Sequence, residues 1–475
     1  MKVVHLSVEC FPVAKVGGLA DVVGALPKYQ RTLGIDASVV MPWFDRPFLA
    51  QHSTELVANG TIKQGGDYLD YEVLKEQEDT LGFPLYFIRI QEKLDRPEVY
   101  CYPDEAEQWI AFQHAFLHYL HQQEELPDVI HCHDHHVGLI PFLLKHALDY
   151  RDRFESIKSV FTVHNGQYQG WMDWEKATLL PIYDTWKWGL LDWDGVINPL
   201  ATAIKCCSAF TTVSEGYMQE LYQDANGLQD LFKIESYKAE GIVNGIDEAF
   251  WNPETDTSLE KNYSKTSFRS GKSANKKWLA KNYGFSSTVP LVVFVGRFAF
   301  EKGADLLPKI IDELLEKSEV AVFVLGSGDE TISEQLAERV KKYEGRLATF
   351  FGYNESLAHK VYAAGDLLLM PSRVEPCGLN QLYAMKYGTI PVVRGIGGLR
   401  DTVVDVSEKD GYGFVFPDPD AEQASACVIR AVNTISEKKQ FDQIRKFIMQ
   451  LDYSWENSAK KYVKLYHRLV ESYDA

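Results

Sequence analysis

Val289-Pro-Leu-Val-Val-Phe-Val295-Gly-Arg297-Phe-Ala-Phe-Glu-Lys302-Gly is a nearly unbroken apolar run that closes on glycine and two cations. It predicts a strand over 289–295. An unbroken run, rather than an alternating one, suits a parallel strand covered on both faces. Downstream, a helical pattern over Leu306–Lys317 leads to apolar runs at Val320–Leu325, Ala348–Phe351, Leu367–Met370, Ile390–Val393 and Phe414–Val415. Helices at Thr331–Tyr343, Leu357–Ala363 and Asn380–Tyr387 fall between them. Short β-rich runs alternating with longer helical segments specify a wound α/β fold.

The upstream half repeats the pattern. Strands are predicted at Val3–Val8, Ala37–Met41, Leu85–Ile90, Val129–His131, Ser159–Val163 and Ala209–Val213, with helices at Ala20–Leu33, Glu105–Gln123, Gly138–Tyr150 and Gly216–Tyr222. Turns interrupt it over Gly241–Pro253, and a polar stretch with a helical segment, Glu254–Asn282, precedes the restart. The expectation is two Rossmann-like domains, 1–245 and 246–455, with the ligand site in the cleft between them. Trp455–Glu471 reads as an amphipathic helix with Ala459, Tyr462, Val463, Tyr466 and Leu469 on one side. Within segment 456–475 it either caps the second domain or crosses back to the first, and the pattern does not choose.

The 475 residues include 49 Lys and Arg against 67 Asp and Glu, a net charge of −18. That field repels phosphate backbones and anionic lipid, so nucleic acid and membranes are not expected partners. A bound nucleotide needs a local basic pocket. Seven scattered cysteines with no CxxC pair suit reduced thiols, the N-terminal apolar run is too short for a signal peptide, and no run of 18 apolar residues occurs. A cytoplasmic protein is expected.

Three motifs carry chemistry. In Lys15-Val-Gly-Gly-Leu-Ala-Asp21, paired glycines let a ligand approach a helix start, Lys15 adds charge for phosphate, and Asp21 can accept from sugar hydroxyls. A strand-to-helix turn needing Gly-Gly for geometry alone reads equally well. Arg297 and Lys302 lie beyond a strand's carboxyl end, where they can neutralise a departing diphosphate or form a solvated basic loop. In Pro371-Ser-Arg-Val-Glu375-Pro-Cys-Gly-Leu-Asn380-Gln, Glu375 can hold sugar hydroxyls while the amides from Cys377 to Asn380 face sugar and phosphate; a helix cap is the alternative.

With this last motif the chain resembles bacterial glycogen synthases and plant starch synthases, retaining glucosyltransferases of the two-domain GT-B fold. The resemblance also covers His131-Cys-His-Asp134-His-His136, Phe161-Thr-Val-His164-Asn165, Asn244-Gly-Ile-Asp247, Gly352-Tyr353, Gly397-Gly-Leu-Arg-Asp401-Thr402 and Tyr453-Ser-Trp455. It implies transfer of glucose from a nucleotide-glucose donor, ADP-glucose favoured over UDP-glucose, to an α-1,4-glucan acceptor, with no cofactor or metal. By the same resemblance Lys15, Gly18, Arg297 and Lys302 contact the diphosphate. Asp21, His164, Asn244, Glu375, Cys377 and Gly378 surround the glucose. Leu379 and Asn380 offer amides to phosphate, Tyr353 packs on the base, and Asp134 and Glu9 lie nearer the acceptor. Front-face transfer lets the leaving phosphate take the acceptor's proton, so the protein's task is orientation and positive charge. Lys15, Arg297 and Lys302 supply that charge from both domains as the cleft closes.

Val16, Asn380 and Ile396 each stand where the bacterial enzymes often have Thr, and Tyr383 stands where many related transferases place a second glutamate. Tyr383 matches the glucan-synthase branch. A transferase with another acceptor and a non-catalytic glucan-binding homologue are the competing readings; intact Lys15, His164, Arg297, Lys302 and Glu375 weigh against the latter. In the histidine run Asp134 follows His131 by three, where metallo-hydrolases of HxHxDH type need four, so loop packing and acceptor contact are expected instead of a metal. Among the dense aromatics Tyr168, Trp171, Trp174, Tyr183, Trp186, Trp188 and Trp193, structural anchoring is expected for most, with Trp171 and Trp174 as the glucan contacts.

Overall fold

The computed structural model describes residues 1–471; the end of the segment read as 456–475 lies outside the described residues. The chain forms two compact units. One holds Met1–Val213, Met218–Gly245 and the C-terminal helix Trp455–Glu471, the other Ser214–Tyr217 and Ile246–Ser454.

The first unit is built on β1 (Lys2–Leu6), β2 (Asp36–Pro42), β3 (Thr54–Gln64), β4 (Asp67–Glu76), β5 (Leu85–Arg89), β6 (Val129–His133), β7 (Lys158–Val163), a two-stranded ribbon of β8 (Asp192–Trp193) and β9 (Val196–Ile197), then β10 (Ala209–Thr212) and β11 (Ala239–Gly241). The main sheet runs β11-β10-β7-β6-β1-β2-β5-β4-β3. Strand β1 pairs in parallel with β2 through Val3↔Ala37 and with β6 through Val3↔Val129. After β1 the chain builds outward through β2 and β5, then returns to lay β6 on the opposite flank. The order of winding therefore reverses between β1 and β6, and loops leaving those strands open a crevice there.

The second unit has β12 (Leu291–Phe298), β13 (Ala321–Gly328), β14 (Leu347–Phe351), β15 (Leu367–Met370), β16 (Ile390–Arg394) and β17 (Phe414–Phe416), in the order β14-β13-β12-β15-β16-β17. All are parallel, and the reversal lies between β12 and β15. Leu291 to Phe294 are all buried, the reason the opening run lacks alternation.

The sequence pattern does not anticipate the antiparallel hairpin β3–β4, which joins the sheet edge against β5. Nor does it show the helices Pro199–Cys206, Ala421–Ser436 and Lys438–Ile448. The helix expected over Gly138–Tyr150 is shorter, Ile140–His146, because Ala147 turns extended and bridges Tyr183. The segment in Glu254–Asn282 becomes Phe268–Tyr283, closed by Gly284 at φ 76°. Among the described residues no helix is long and apolar enough to cross a membrane.

The C-terminal helix packs Trp455, Ala459, Tyr462, Leu465 and Tyr466 into one core with Val3, Val22, Val129 and Val160 of the first unit. Ser458 Oγ donates to the Val243 carbonyl at 2.7 Å. Leu465 is fully enclosed, so Leu465→Ala is expected to cost about 2–5 kcal/mol. A lowered midpoint for unfolding of the first unit in a denaturant titration checks it.

Candidate active site

In the first unit the candidate residues leave the carboxyl ends of parallel strands. Glu9, Lys15, Gly18 and Asp21 follow β1, Asp134 follows β6, His164 follows β7 and Asn244 follows β11. Helix Gly18–Thr32 begins inside the first motif, so Asp21 sits in its first turn. Glu9 is buried and accepts from the Val16 and Gly17 amides at 2.6 and 2.9 Å through Oε2. Its Oε1 accepts from the Tyr100 hydroxyl at 2.5 Å. Oε2 thus clamps the glycine turn while Tyr100 holds Oε1, a supporting role that sequence spacing did not show.

Gly17 and Gly18 keep negative φ, and a Cβ on either meets nothing within 4 Å. Neither backbone geometry nor packing demands glycine at these positions. They leave open space beside the first turn of a 15-residue helix, whose free amides favour an anion. Lys15 Nζ lies 2.7 Å from Asp21 Oδ1. Burial raises the Asp21 carboxyl, and Lys15 opposes the shift.

Asp134 adopts φ 61°, ψ 175°, a conformation that costs a non-glycine residue on the order of 1–3 kcal/mol and concentrates at functional sites. Its Oδ1 accepts from the His164 amide at 2.8 Å. Burial pushes its carboxyl up to about 7, with the backbone donors opposing and Glu9 reinforcing. His164 is nearly enclosed, and burial lowers its imidazole to about 3, so it is neutral at physiological pH. Asn244 is buried with its Oδ1 unpartnered, as a group placed for a substrate hydroxyl would be.

In the second unit the two remaining motifs leave the neighbouring strands β12 and β15 and so straddle the reversal. Lys302 Nζ lies 2.7 Å from Glu375 Oε1, and Ser372 Oγ donates to Glu375 Oε2 at 2.9 Å. Arg297 projects into solvent from the end of β12, 2.7 Å from Glu301 Oε1. The Lys302 loop seats tightly: Gly303 has φ 65°, and a Cβ there would fall 2.1 Å from the Pro371 carbonyl. The Glu375 loop is held by Gly398 N donating to the Glu375 carbonyl at 3.1 Å and Ser214 Oγ donating to the Pro376 carbonyl at 2.5 Å. Cys377 is buried, and Gly378 takes φ 71° where the loop turns into helix Asn380–Lys386, with Leu379 as its first cap. The Asn380 side chain reaches back to the Val295 carbonyl at 2.6 Å, tying the two motif loops together. Tyr353, beyond β14, keeps an exposed ring and bonds Glu355 through its hydroxyl.

Tyr383 stacks on Trp251 at 3.8 Å, with His359 on the opposite side at 3.9 Å. The residue that distinguishes the branch is thus part of the packing. Of the aromatic segment, Tyr168, Trp171, Trp186 and Trp188 are exposed. Trp174 instead donates to Asp192 Oδ1 at 2.9 Å and meets Trp188 edge-on, which ties it to the fold. Tyr100, Ser372 and Glu301 are not legible as site residues in the sequence; each lies outside the motif strings or carries no chemistry until its partner is placed.

Residues 2–234 match the family model of the starch synthase catalytic domain, and residues 276–446 that of glycosyl transferases group 1. A glycogen synthase of Flavobacterium johnsoniae is 45% identical over 473 residues, covering 99% of this chain and 100% of the relative. One from Geobacillus stearothermophilus is 35% identical, covering 99% and 98%. Among solved structures, the catalytic domain of starch synthase IV from Arabidopsis thaliana, bound to ADP and acarbose, is similar with a TM-score of 0.90 at 30% identity over 99% of both chains. Sucrose-phosphate synthase from Thermosynechococcus elongatus, with a TM-score of 0.64 and 18% identity, shares the fold.

Two outcomes are expected. Gly18→Ala should keep or raise thermal stability, since alanine gains up to about 1 kcal/mol in a helix, yet lower turnover by filling the open space; paired melting and rate measurements check it. Asp134 binds its proton more tightly folded than unfolded, so its contribution to stability is present below about pH 4 and is lost as pH rises through 7. Asp134→Asn should therefore be more stable than the parent above pH 7, by up to about 4 kcal/mol, with the gap closing toward pH 4 in melts recorded across that range.

Proposed function

The chain belongs to the glycogen and starch synthase family, and from that membership we propose that ADP-glucose rather than UDP-glucose is its donor and that the residues above divide the work of transfer. The protein is a glycosyltransferase with the GT-B fold that moves glucose from a nucleotide-glucose to a glucan. The ADP reading is supported by the ADP held in the Arabidopsis starch synthase IV structure.

The observation that carries the assignment of roles is the Lys302–Glu375 pair at 2.7 Å beside the winding reversal of the second unit. Lys302 and Arg297 are the cations that meet the diphosphate. Glu375, oriented by Ser372, accepts from glucose hydroxyls. The turn Cys377, Gly378, Leu379 and Asn380 presents backbone to sugar and phosphate, and the open ring of Tyr353 stacks on the base. In the first unit Lys15 and Gly18 serve phosphate, His164, Asn244 and Asp21 serve glucose, and Asp134 serves the acceptor hydroxyl. Glu9 acts through the glycine turn that it clamps. As the glycosyl bond breaks, negative charge grows on the leaving phosphate oxygen, where fixed cations stabilise it most. That oxygen then takes the proton of the attacking hydroxyl on the same face, with retention.

Incubation with glycogen and each donor, reading released nucleoside diphosphate, tests the donor. ADP release at least about ten-fold faster than UDP release is expected, a difference of about 1.4 kcal/mol in transition-state binding; equal or faster UDP release overturns the donor reading. Glu375→Ala and Lys302→Ala should each lower kcat by about 100-fold or more without loss of folded protein. Near-parental turnover in either variant removes the assignment.

A further inference from the structure

His164 ends an unbroken chain of buried hydrogen bonds that begins on the C-terminal helix. Gln30 Nε2 donates to the Tyr466 hydroxyl at 2.9 Å, and Gln30 Oε1 lies 2.7 Å from His5 Nε2. His5 Nδ1 is 3.0 Å from His133 Nε2, and His133 Nδ1 is 3.0 Å from His164 Nε2. A second branch leaves Tyr466: its hydroxyl is 2.7 Å from His131 Nδ1, whose Nε2 is 2.6 Å from Thr162 Oγ1, itself 2.6 Å from Thr211 Oγ1. Every member except His164 is fully enclosed. The rings of His5, His131 and His133 are layered, with centroids 4.3 to 5.3 Å apart.

These distances allow only an ordered arrangement of protons. Burial lowers His5 to about 4 and holds His131 and His133 well below the ordinary imidazole range, so all are neutral at physiological pH. A neutral imidazole has one N–H and one bare nitrogen. With the Gln30 carbonyl facing His5, His5 carries its proton on Nε2 and accepts at Nδ1. His133 must then donate through Nε2 and accept at Nδ1, and His164 must donate through Nε2. The orientation of one amide thus propagates over three rings.

We propose that Tyr466, Gln30, His5 and His133 are positioning residues that hold His164 in its Nε2-protonated neutral tautomer, leaving Nδ1 bare to accept from a hydroxyl of the transferred sugar. The purpose rests on the role given to His164 above; the proton order rests on the buried geometry with the Gln30 carbonyl facing His5 and its amide nitrogen facing Tyr466. His5, His131 and His133 also lie close enough to share a cation. All six of their ring nitrogens already have hydrogen-bond partners, so metal binding would have to break the chain.

The test is long-range ¹H–¹⁵N correlation on protein labelled at histidine, with His164 assigned from the signals missing in His164→Gln. In the parent protein His164 should show a protonated Nε2 and a bare Nδ1 from pH 6 to 9. Tyr466→Phe removes one fully enclosed hydroxyl and leaves Gln30 Nε2 without that partner, free to turn over. The His164 signals should then become those of a tautomer mixture, with kcat lowered about ten-fold and the KM for glycogen unchanged. A mixture or an Nδ1-protonated His164 in the parent overturns the proposal without recourse to any variant. So does an unaltered tautomer in Tyr466→Phe, or stoichiometric zinc in purified protein. A shifted tautomer with parental turnover overturns the role of His164 in transfer, a failure separate from that of Glu375→Ala because the spectra need no donor.

Discussion

Parallel strands cannot be joined by tight turns, so each crossover must return over a face of the sheet and every carboxyl-end loop emerges on one edge. That constraint organises both units. In the first it sets Glu9, Lys15, Asp134 and His164 on loops from neighbouring strands although 155 positions separate the outermost of them. In the second it places Lys302 beside Glu375 by laying β15 against β12. At each reversal the crossover helices lie on opposite faces of the sheet, and the crevice left there is where the motif side chains meet.

The runs that face core on both sides were legible because nothing polar is tolerated in them; β12 and β15 are the clearest cases. The β3–β4 hairpin was not, because most of β3 is solvent-facing and its polar residues broke the run; the Gly65-Gly66 turn was the available signal. Helix Pro199–Cys206 carried one too, Asn198 capping the Ala201 amide ahead of a first-turn proline. Motif strings placed Lys302 and Glu375 correctly on strand-end loops. Spacing could not reveal that Glu9 serves a backbone turn, or that Gln30 meets a tyrosine 436 positions away. Such contacts exist only after the sheet has formed.

The acidic composition reaches the motif cations themselves. Lys15, Arg297 and Lys302 each lie 2.7 Å from a carboxylate, those of Asp21, Glu301 and Glu375. On the proposed reading a diphosphate competes with these carboxylates at contact distance, while a diffuse polyanion still meets a net charge of −18.

The return of the C-terminal helix has a consequence for how the protein is made. The polypeptide leaves the first unit at Gly245 and rejoins it at Trp455. On the ribosome, Val3, Val22, Val129 and Val160 wait for their cover until the entire second unit has been translated, a delay of roughly 10–40 s at ordinary elongation rates. The unit begun first is therefore finished last. Through that interval its apolar face is uncovered, and a message truncated anywhere before the helix Trp455–Glu471 yields a nascent chain with an open core.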